Sequence, residues 1–320
     1  MKNLFEKLTE TMKNCDKAIL VAHQCPDLDA LGSCLGLSSI LNVLEVENYI
    51  YLDVDKVDNY SVNLALPFCS DYKFINNDTI DSLLTENTYL IVLDTHIPDR
   101  IENPDLFNKI NKVIVLDHHI KNNNYIKETE LLYIDSTLSS VVELIAFYAN
   151  YLEINIPSVI ASIMIAGMEV DTNGFNVKVT EQTFNAAAIL LSMGADMIIK
   201  QNLLKESKRE YLRKANFIKS SHIYRKKYAF CLLDSPETTQ EELAEIAESL
   251  LGLENVEASF SIGQLDKKTV GISARSIGNI DVCEIMKQFG GGGHTTNAAS
   301  QIEKTTMKLM EKNIKKVLGD

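Results

Sequence analysis

AILVAHQCPDLDALGSCLGLSSILNVL, residues 18–44, decides the fold. Residues 18–22 form a continuous apolar run without polar alternation, as expected of a strand covered on both faces. His23 ends the run, a proline-containing turn presents Asp27 and Asp29, and the spacing predicts a helix over residues 30–44. Strand, polar turn and helix in that order open a parallel α/β sheet, where ligands bind beyond the carboxyl ends of the strands.

Outward from this stretch the same alternation continues. Apolar runs at 49–52, 89–93 (YLIVL) and 113–116 (VIVL) read as further strands, and 139–151 and 157–168 as helices. The prediction is a doubly wound, mainly parallel sheet. Polar residues cluster just where the runs stop: His23 after the first, Asp94 after YLIVL, and Asp117, His118 and His119 after VIVL. So many buried carboxylates would repel one another without a cation to neutralise them. Carboxylates with imidazoles and no thiolates suit Mn²⁺ or a similar divalent ion, and argue against a structural zinc site. A helix cap accounts for one of Asp27 and Asp29, but not for both together with His23. Asp171, in GMEVDTNGF, is open to two readings, because Asn173-Gly174 marks a tight turn that uses such residues anyway.

Residues 180–220 keep a helical, increasingly charged pattern with no Pro or Gly after Gly194, and are read as a connecting helix. Beyond them, strand-like runs at 228–233, 258–262 and 269–274 and helical patterns at 240–251, 282–289 and 306–317 predict a smaller α/β domain. The expected organisation is a catalytic domain over 1–194, a helical linker over 195–220 and a substrate-binding domain over 221–320. The last contains FGGGGHTTNAAS, residues 289–300. Its glycines let backbone N–H groups approach a ligand, and a helix start after them would favour an anion. No GK[ST] follows, so it is not a Walker loop. His294 and the Arg275 of GISARS supply cations suited to phosphate.

Composition narrows the function. A chain of 320 residues suits two domains, and its net charge of −13 leaves no basic surplus for holding long DNA or RNA. A dinucleotide needs only a few local cations. The six cysteines lack CxxC spacing and are expected as reduced thiols, with Cys25 notable for lying inside the first motif. Residues 1–16 form an amphipathic helix pattern without the apolar centre of a signal peptide. The longest apolar stretch, 159–168, falls short of the ~20 residues a membrane span needs. A soluble, cytoplasmic protein is expected.

Taken in order, HQCPDLDALGS, VLDTH, LDHH and EVDTNGF, then SARS and GGGGH, resemble the DHH/DHHA1 phosphoesterase family over nearly the whole chain. Within it, STLSSVVELI (136–145), residues 183–205, VGISARS and GGGGHTTNAASQI are similar to the catalytic module of bacterial cyclic-di-AMP phosphodiesterases. The resemblance implies two divalent metal ions, Mn²⁺, one held by His23, Asp27 and Asp94 and the other by Asp29, Asp94, His118 and Asp171, with Asp94 bridging. It implies a water between the ions attacking phosphorus in line, His119 against the phosphate, and Asp117 orienting a metal-binding histidine from behind. Arg275, Ser276, Gly291, Gly292, Gly293, His294 and Asn297 would bind the substrate. The activity implied is hydrolysis of cyclic di-AMP to pApA, and onward to AMP. The alternative within the family is an oligoribonuclease and pAp phosphatase acting on short linear nucleotides, and outside enzymes a cyclic-dinucleotide sensor. Ile120-Lys121-Asn122 stands where the cyclic-dinucleotide enzymes often have arginines, which bears on that choice. A family II pyrophosphatase is disfavoured by the GGGGH domain, and a RecJ-like exonuclease by size and acidity. The partners expected are a small nucleotide and a second copy of the chain as a homodimer, with neither long nucleic acid nor membrane.

Overall fold

The computed structural model describes residues 1–235 and 238–319 and divides into two compact units, Met1–Lys205 and Glu206–Asp320. In the first unit the strands are β1 (Lys17–Val21), β2 (Glu47–Tyr51), β3 (Phe74–Ile75), β4 (Thr88–Leu93), β5 (Lys112–Asp117) and β6 (Leu131–Ile134). They pair in the order β3-β2-β1-β4-β5-β6, every pair parallel. The apolar runs become strands buried on both faces because alternate residues feed two cores. Leu20, Ile91, Leu93, Ile114 and Leu116 face one core, while Ile19, Val21, Leu90, Val92 and Val115 face the other. Each such side chain contributes about 1.5–3 kcal/mol on burial.

The helices of this unit are α1 (Lys2–Met12), α2 (Leu28–Val43), α3 (Tyr60–Ala65), α4 (Asn77–Ile80), α5 (Val141–Tyr151), α6 (Ser158–Asp171), α7 (Glu181–Ser192) and α8 (Met197–Leu203). α2 packs against both α5 and α6 and is buried from Leu28 to Leu41, which explains why its sequence is apolar on every side. Close approach to α6 depends on Gly167. A Cβ there would lie 2.6 Å from the Leu28 carbonyl oxygen and 2.8 Å from the Asp29 backbone nitrogen. The first turn of α2 is therefore pressed onto bare backbone.

The second unit contains α9 (Lys208–Ser220), β7 (His222–Tyr224), β8 (Tyr228–Leu233), α10 (Gln240–Leu251), β9 (Ala258–Gln264), β10 (Thr269–Ser276), α11 (Val282–Lys287), β11 (Gly292–Gly293), β12 (Asn297–Glu303) and α12 (Met307–Val317). Its sheet runs β11-β12-β10-β9-β8-β7, with only the β8–β9 pair parallel. α10 and the apolar face of α9 cover Ala229, Cys231 and Leu233 on one side. α11 and α12 cover Phe230, Phe260 and Ile272 on the other.

Two expectations need correction. Residues 195–220 do not form one connecting helix. α8 packs on α6 in the first unit and α9 on β8 in the second, with a break before Ser207, whose side chain caps α9 in a reciprocal box with Glu210. Nor do the glycines lead into a helix. The chain doubles back as a hairpin, Gly292 pairing with Ala299 and Gly293 with Ala298. A Cβ would lie 2.1 Å from Ala299 O at Gly291 and 2.3 Å from Asn297 O at Gly293, so this tight return requires glycine. Among the described residues, no single helix is long and apolar enough to cross a membrane.

Candidate metal centre

Strand order reverses between β1 and β4, since the chain proceeds to β2 and β3 on one side and to β5 and β6 on the other. Such a reversal opens a crevice at the carboxyl ends of the strands. His23 and Asp94 emerge at its two sides, and the Asp94 carboxylate joins them. Its Oδ2 lies 3.4 Å from His23 Nε2 and its Oδ1 3.2 Å from His118 Nε2. His118 Nε2 also lies 2.9 Å from Asp171 Oδ2 and 4.0 Å from Asp29 Oδ2. The result is two ligand groups that meet at Asp94, His23, Asp27 and Asp94 forming one and Asp29, Asp94, His118 and Asp171 the other. A third set, Asp94, His118 and His119, overlaps the second, and the donor atoms of each lie within 4.8 Å of one another.

Local structure explains each placement. Asp94 turns out of β4 in the left-handed region (φ 61°), which aspartate tolerates better than most residues. Asp27 is the N-cap of α2, its Oδ1 accepting from the Asp29 and Ala30 N–H groups at 2.9 and 3.0 Å. The helix-cap reading thus belongs to Asp27, and capping occupies one of its oxygens only. Asp29 sits at the N-terminus of α5, where its carboxylate accepts from Val141 N–H and Val142 N–H, both at 2.8 Å. His23 Nδ1 donates to the Gln24 carbonyl at 2.8 Å, which leaves Nε2 facing Asp94. Asp171 is the last residue of α6, just before the left-handed Asn173 and Gly174, so turn and cluster coexist.

Asp117 holds two histidines beside this cluster. It accepts from the His119 ring Nδ1 (2.8 Å) and the His119 backbone N–H (3.1 Å), and from His96 Nδ1. It therefore orients His119, which with Asp94 and His118 forms a further set of candidate ligands. His96 Nε2 in turn accepts from the Asn122 N–H at 2.9 Å, fixing its tautomer. His96 closes the VLDTH motif, but no role for it follows from the sequence. The only signal was its place two residues beyond Asp94, and it is 1% exposed.

Electrostatics test whether a cation fits. Burial, then the charges of Asp94 and Asp171, raise Asp27 to about 6 and hold Asp29 well above the usual carboxylate range. Burial opposes protonation of His118, yet the nearby carboxylates of Asp171 and Asp94 lift it to about 11. His23 likewise rises to about 9 against its burial, through Asp94. Protons thus do the neutralising when no cation is present. Asp94 Oδ1 and both His118 ring nitrogens are buried without a hydrogen-bond partner. Native interiors rarely leave such atoms unsatisfied. Divalent metal ions match this combination of orphaned donors, four carboxylates and two imidazoles.

The expected substrate residues lie in the second unit. Arg275 is ion-paired with Glu248 (3.3 Å) and donates to Ser273 Oγ and the Ala274 carbonyl, both at 3.0 Å. Burial lowers its pKa. The Ser276 hydroxyl donates to the Ile280 carbonyl at 2.7 Å and so closes its own turn. Asn297 pairs across the sheet with Arg275, while Gly293 and His294 are exposed at the hairpin that Gly291 and Gly292 enter.

Residues 17–168 match the DHH family N-terminal domain and residues 225–320 the DHHA1 domain. The cyclic-di-AMP phosphodiesterase GdpP of Geobacillus thermodenitrificans is 33% identical over 98% of this chain, which spans only 49% of that relative. The bifunctional oligoribonuclease and PAP phosphatase NrnA of Thermus thermophilus is 26% identical over 92% of this chain and 87% of its own. An exopolyphosphatase-related protein from Bacteroides fragilis shares the fold, with a TM-score of 0.78 at 21% identity, over 99% of this chain and 96% of that one. With both of its units matched in order by the two family models, this chain belongs to the DHH/DHHA1 family.

Proposed function

We propose that the chain is a two-metal phosphodiesterase that hydrolyses cyclic di-AMP to pApA. The observation that carries the reading is the Asp94 carboxylate, shared by two ligand groups and left with a buried, unpartnered oxygen. Two divalent ions, Mn²⁺ by donor type, would supply Lewis-acid polarisation of a phosphoryl oxygen and a more acidic water. In this reading His23, Asp27 and Asp94 would hold one ion, and Asp29, Asp94, His118 and Asp171 the other. His119, anchored through Nδ1 to Asp117, presents its remaining ring nitrogen to the phosphoryl oxygen and stabilises the charge growing there. Water adds to phosphorus and the P–O3′ bond breaks, which leaves a 5′-phosphate and a free 3′-hydroxyl. His294, Asn297 and the hairpin backbone at Gly291, Gly292 and Gly293 would meet phosphate or base, Ser276 keeps their turn closed, and Arg275 would have to leave Glu248 to join them.

Cyclic di-AMP is favoured because the likeness to a named cyclic-di-AMP phosphodiesterase runs across nearly the whole chain. One observation favours a linear substrate. Lys121 stands where an arginine fork is often found, and its ammonium lies 4.1 Å from the centre of the Tyr125 ring, as a point charge engaged with an aromatic face. Assays with Mn²⁺ on cyclic di-AMP, pApA and pAp, side by side, decide the matter. Turnover of cyclic di-AMP supports the first reading, and cleavage of the linear substrates alone supports the oligoribonuclease reading. Tight binding of cyclic di-AMP with no turnover of any of the three would make the chain a sensor.

A further inference from the structure

We infer that Glu143 is a positioning residue for Asp29, acting through the first turn of α5; the inference rests on the metal-centre reading above. Both oxygens of Asp29 are held by the Val141 and Val142 amides. The preceding turn aims those amides. There Ser140 caps α5, its Oγ accepting from Glu143 N–H at 3.2 Å. Glu143 reaches back to the same turn. Its Oε2 accepts from Ser139 N–H (3.1 Å), from Ser139 Oγ (2.6 Å) and, across from α7, from Thr183 Oγ1 (3.1 Å).

Glu143 is 0% exposed, and its Oε1 has no hydrogen-bond partner. A capping glutamate usually closes its box in contact with water, where desolvation costs little. A fully buried carboxylate is expensive to keep unless its donors do something the fold requires. Its three hydrogen bonds pin residues 139–143 where the two amides meet Asp29, and so aim that carboxylate toward His118 and Asp171. Without Glu143 the turn loses all three, and the amides that orient Asp29 are free to swing away.

The test is Mn²⁺ titration of the 320-residue chain carrying Glu143→Ala, Glu143→Gln or Ser139→Ala. Bound ion is read from the free-Mn²⁺ paramagnetic resonance signal and by calorimetry, with thermal melting followed in parallel. Glu143→Ala is expected to weaken one class of Mn²⁺ site about 10- to 100-fold, the usual cost of removing a group behind a metal ligand. Glu143→Gln keeps an acceptor at the Oε2 position and places its amide where Oε1 lacks a partner, so it should recover most of that affinity. Ser139→Ala, which removes one donor, should weaken binding several-fold and decides the question if Glu143→Ala fails to fold. Wild-type Mn²⁺ affinity in a folded Glu143→Ala or Ser139→Ala chain overturns the inference. So does an equal loss in the alanine and glutamine variants that merely follows their melting temperatures. If the wild-type chain binds no Mn²⁺ at all, the metal-centre reading itself is what fails.

Discussion

The two units treat their polar side chains in opposite ways. At the carboxyl ends of the first sheet, Asp94 Oδ1 and both ring nitrogens of His118 are buried and lack hydrogen-bond partners. Around the glycine hairpin of the second unit, Arg275 is paired with Glu248, Ser276 closes a turn and the His294 and Asn297 backbones bond each other. The first set needs something from outside to be complete, whereas the second is already a finished scaffold. On the proposed function, chemistry would reside in the first unit and the second would contribute surface.

The most direct way to break this contrast is Asp94→Ala. It removes the carboxylate common to both ligand groups and should lower kcat/KM by about 10³-fold or more, with Mn²⁺ binding lost and the fold retained. Wild-type turnover would refute the shared-ligand arrangement. Next in size is the pH dependence of metal binding. His23 and His118, at about 9 and 11, carry protons at neutral pH in the metal-free chain, and an incoming ion must displace them. Affinity should therefore rise with pH, by up to about tenfold per unit for each proton released. Calorimetry in two buffers of different ionisation enthalpy counts those protons, and a count of zero contradicts the assignment. His96→Ala frees one side of Asp117 and should cut kcat about 10- to 100-fold while Mn²⁺ affinity stays near wild type. An unchanged kcat would reduce His96 to packing.

Smaller effects sharpen the comparison. Gly167→Ala forces the first turn of α2 off α6 and should cost about 1–3 kcal/mol, with a parallel loss of Mn²⁺ affinity because Asp29 moves with that turn. Thermal melting with and without Mn²⁺ checks this, and a neutral substitution would mean that the helices part freely. The smallest change is expected from His294→Ala, a rise of several-fold in KM with kcat and metal affinity unaltered. A loss as large as that of Asp94→Ala would erase the distinction between the units.

Much of the first unit could be read from its sequence because buried parallel strands are written as unbroken apolar runs. β1, β4 and β5 fall where YLIVL and its counterparts stand, and the residues just past them converge. β3 is two residues long and β6 is half-exposed along most of its length, so neither leaves a pattern. β12 is built from NAASQIE, small and polar residues that resemble a loop, and most of its pairing is with β10, across α11 and the glycine hairpin. The break between α8 and α9 was encoded only by Ser207 and Glu210, a capping pair easily lost in a charged helical stretch. His96 and Glu143 escaped for another reason. Their importance lies in what they touch across the fold, and periodicity does not record that.

The ligand groups draw on residues from His23 to Asp171, with β2 and β3 inserted in the chain between the neighbouring strands β1 and β4. A chain leaving the ribosome consequently has no complete ion-binding crevice until α6 has been made and has docked on α2. Contacts so distant in sequence form late in folding. On the proposed metal centre, loading would therefore follow the docking of α6 on α2 instead of accompanying synthesis of the chain.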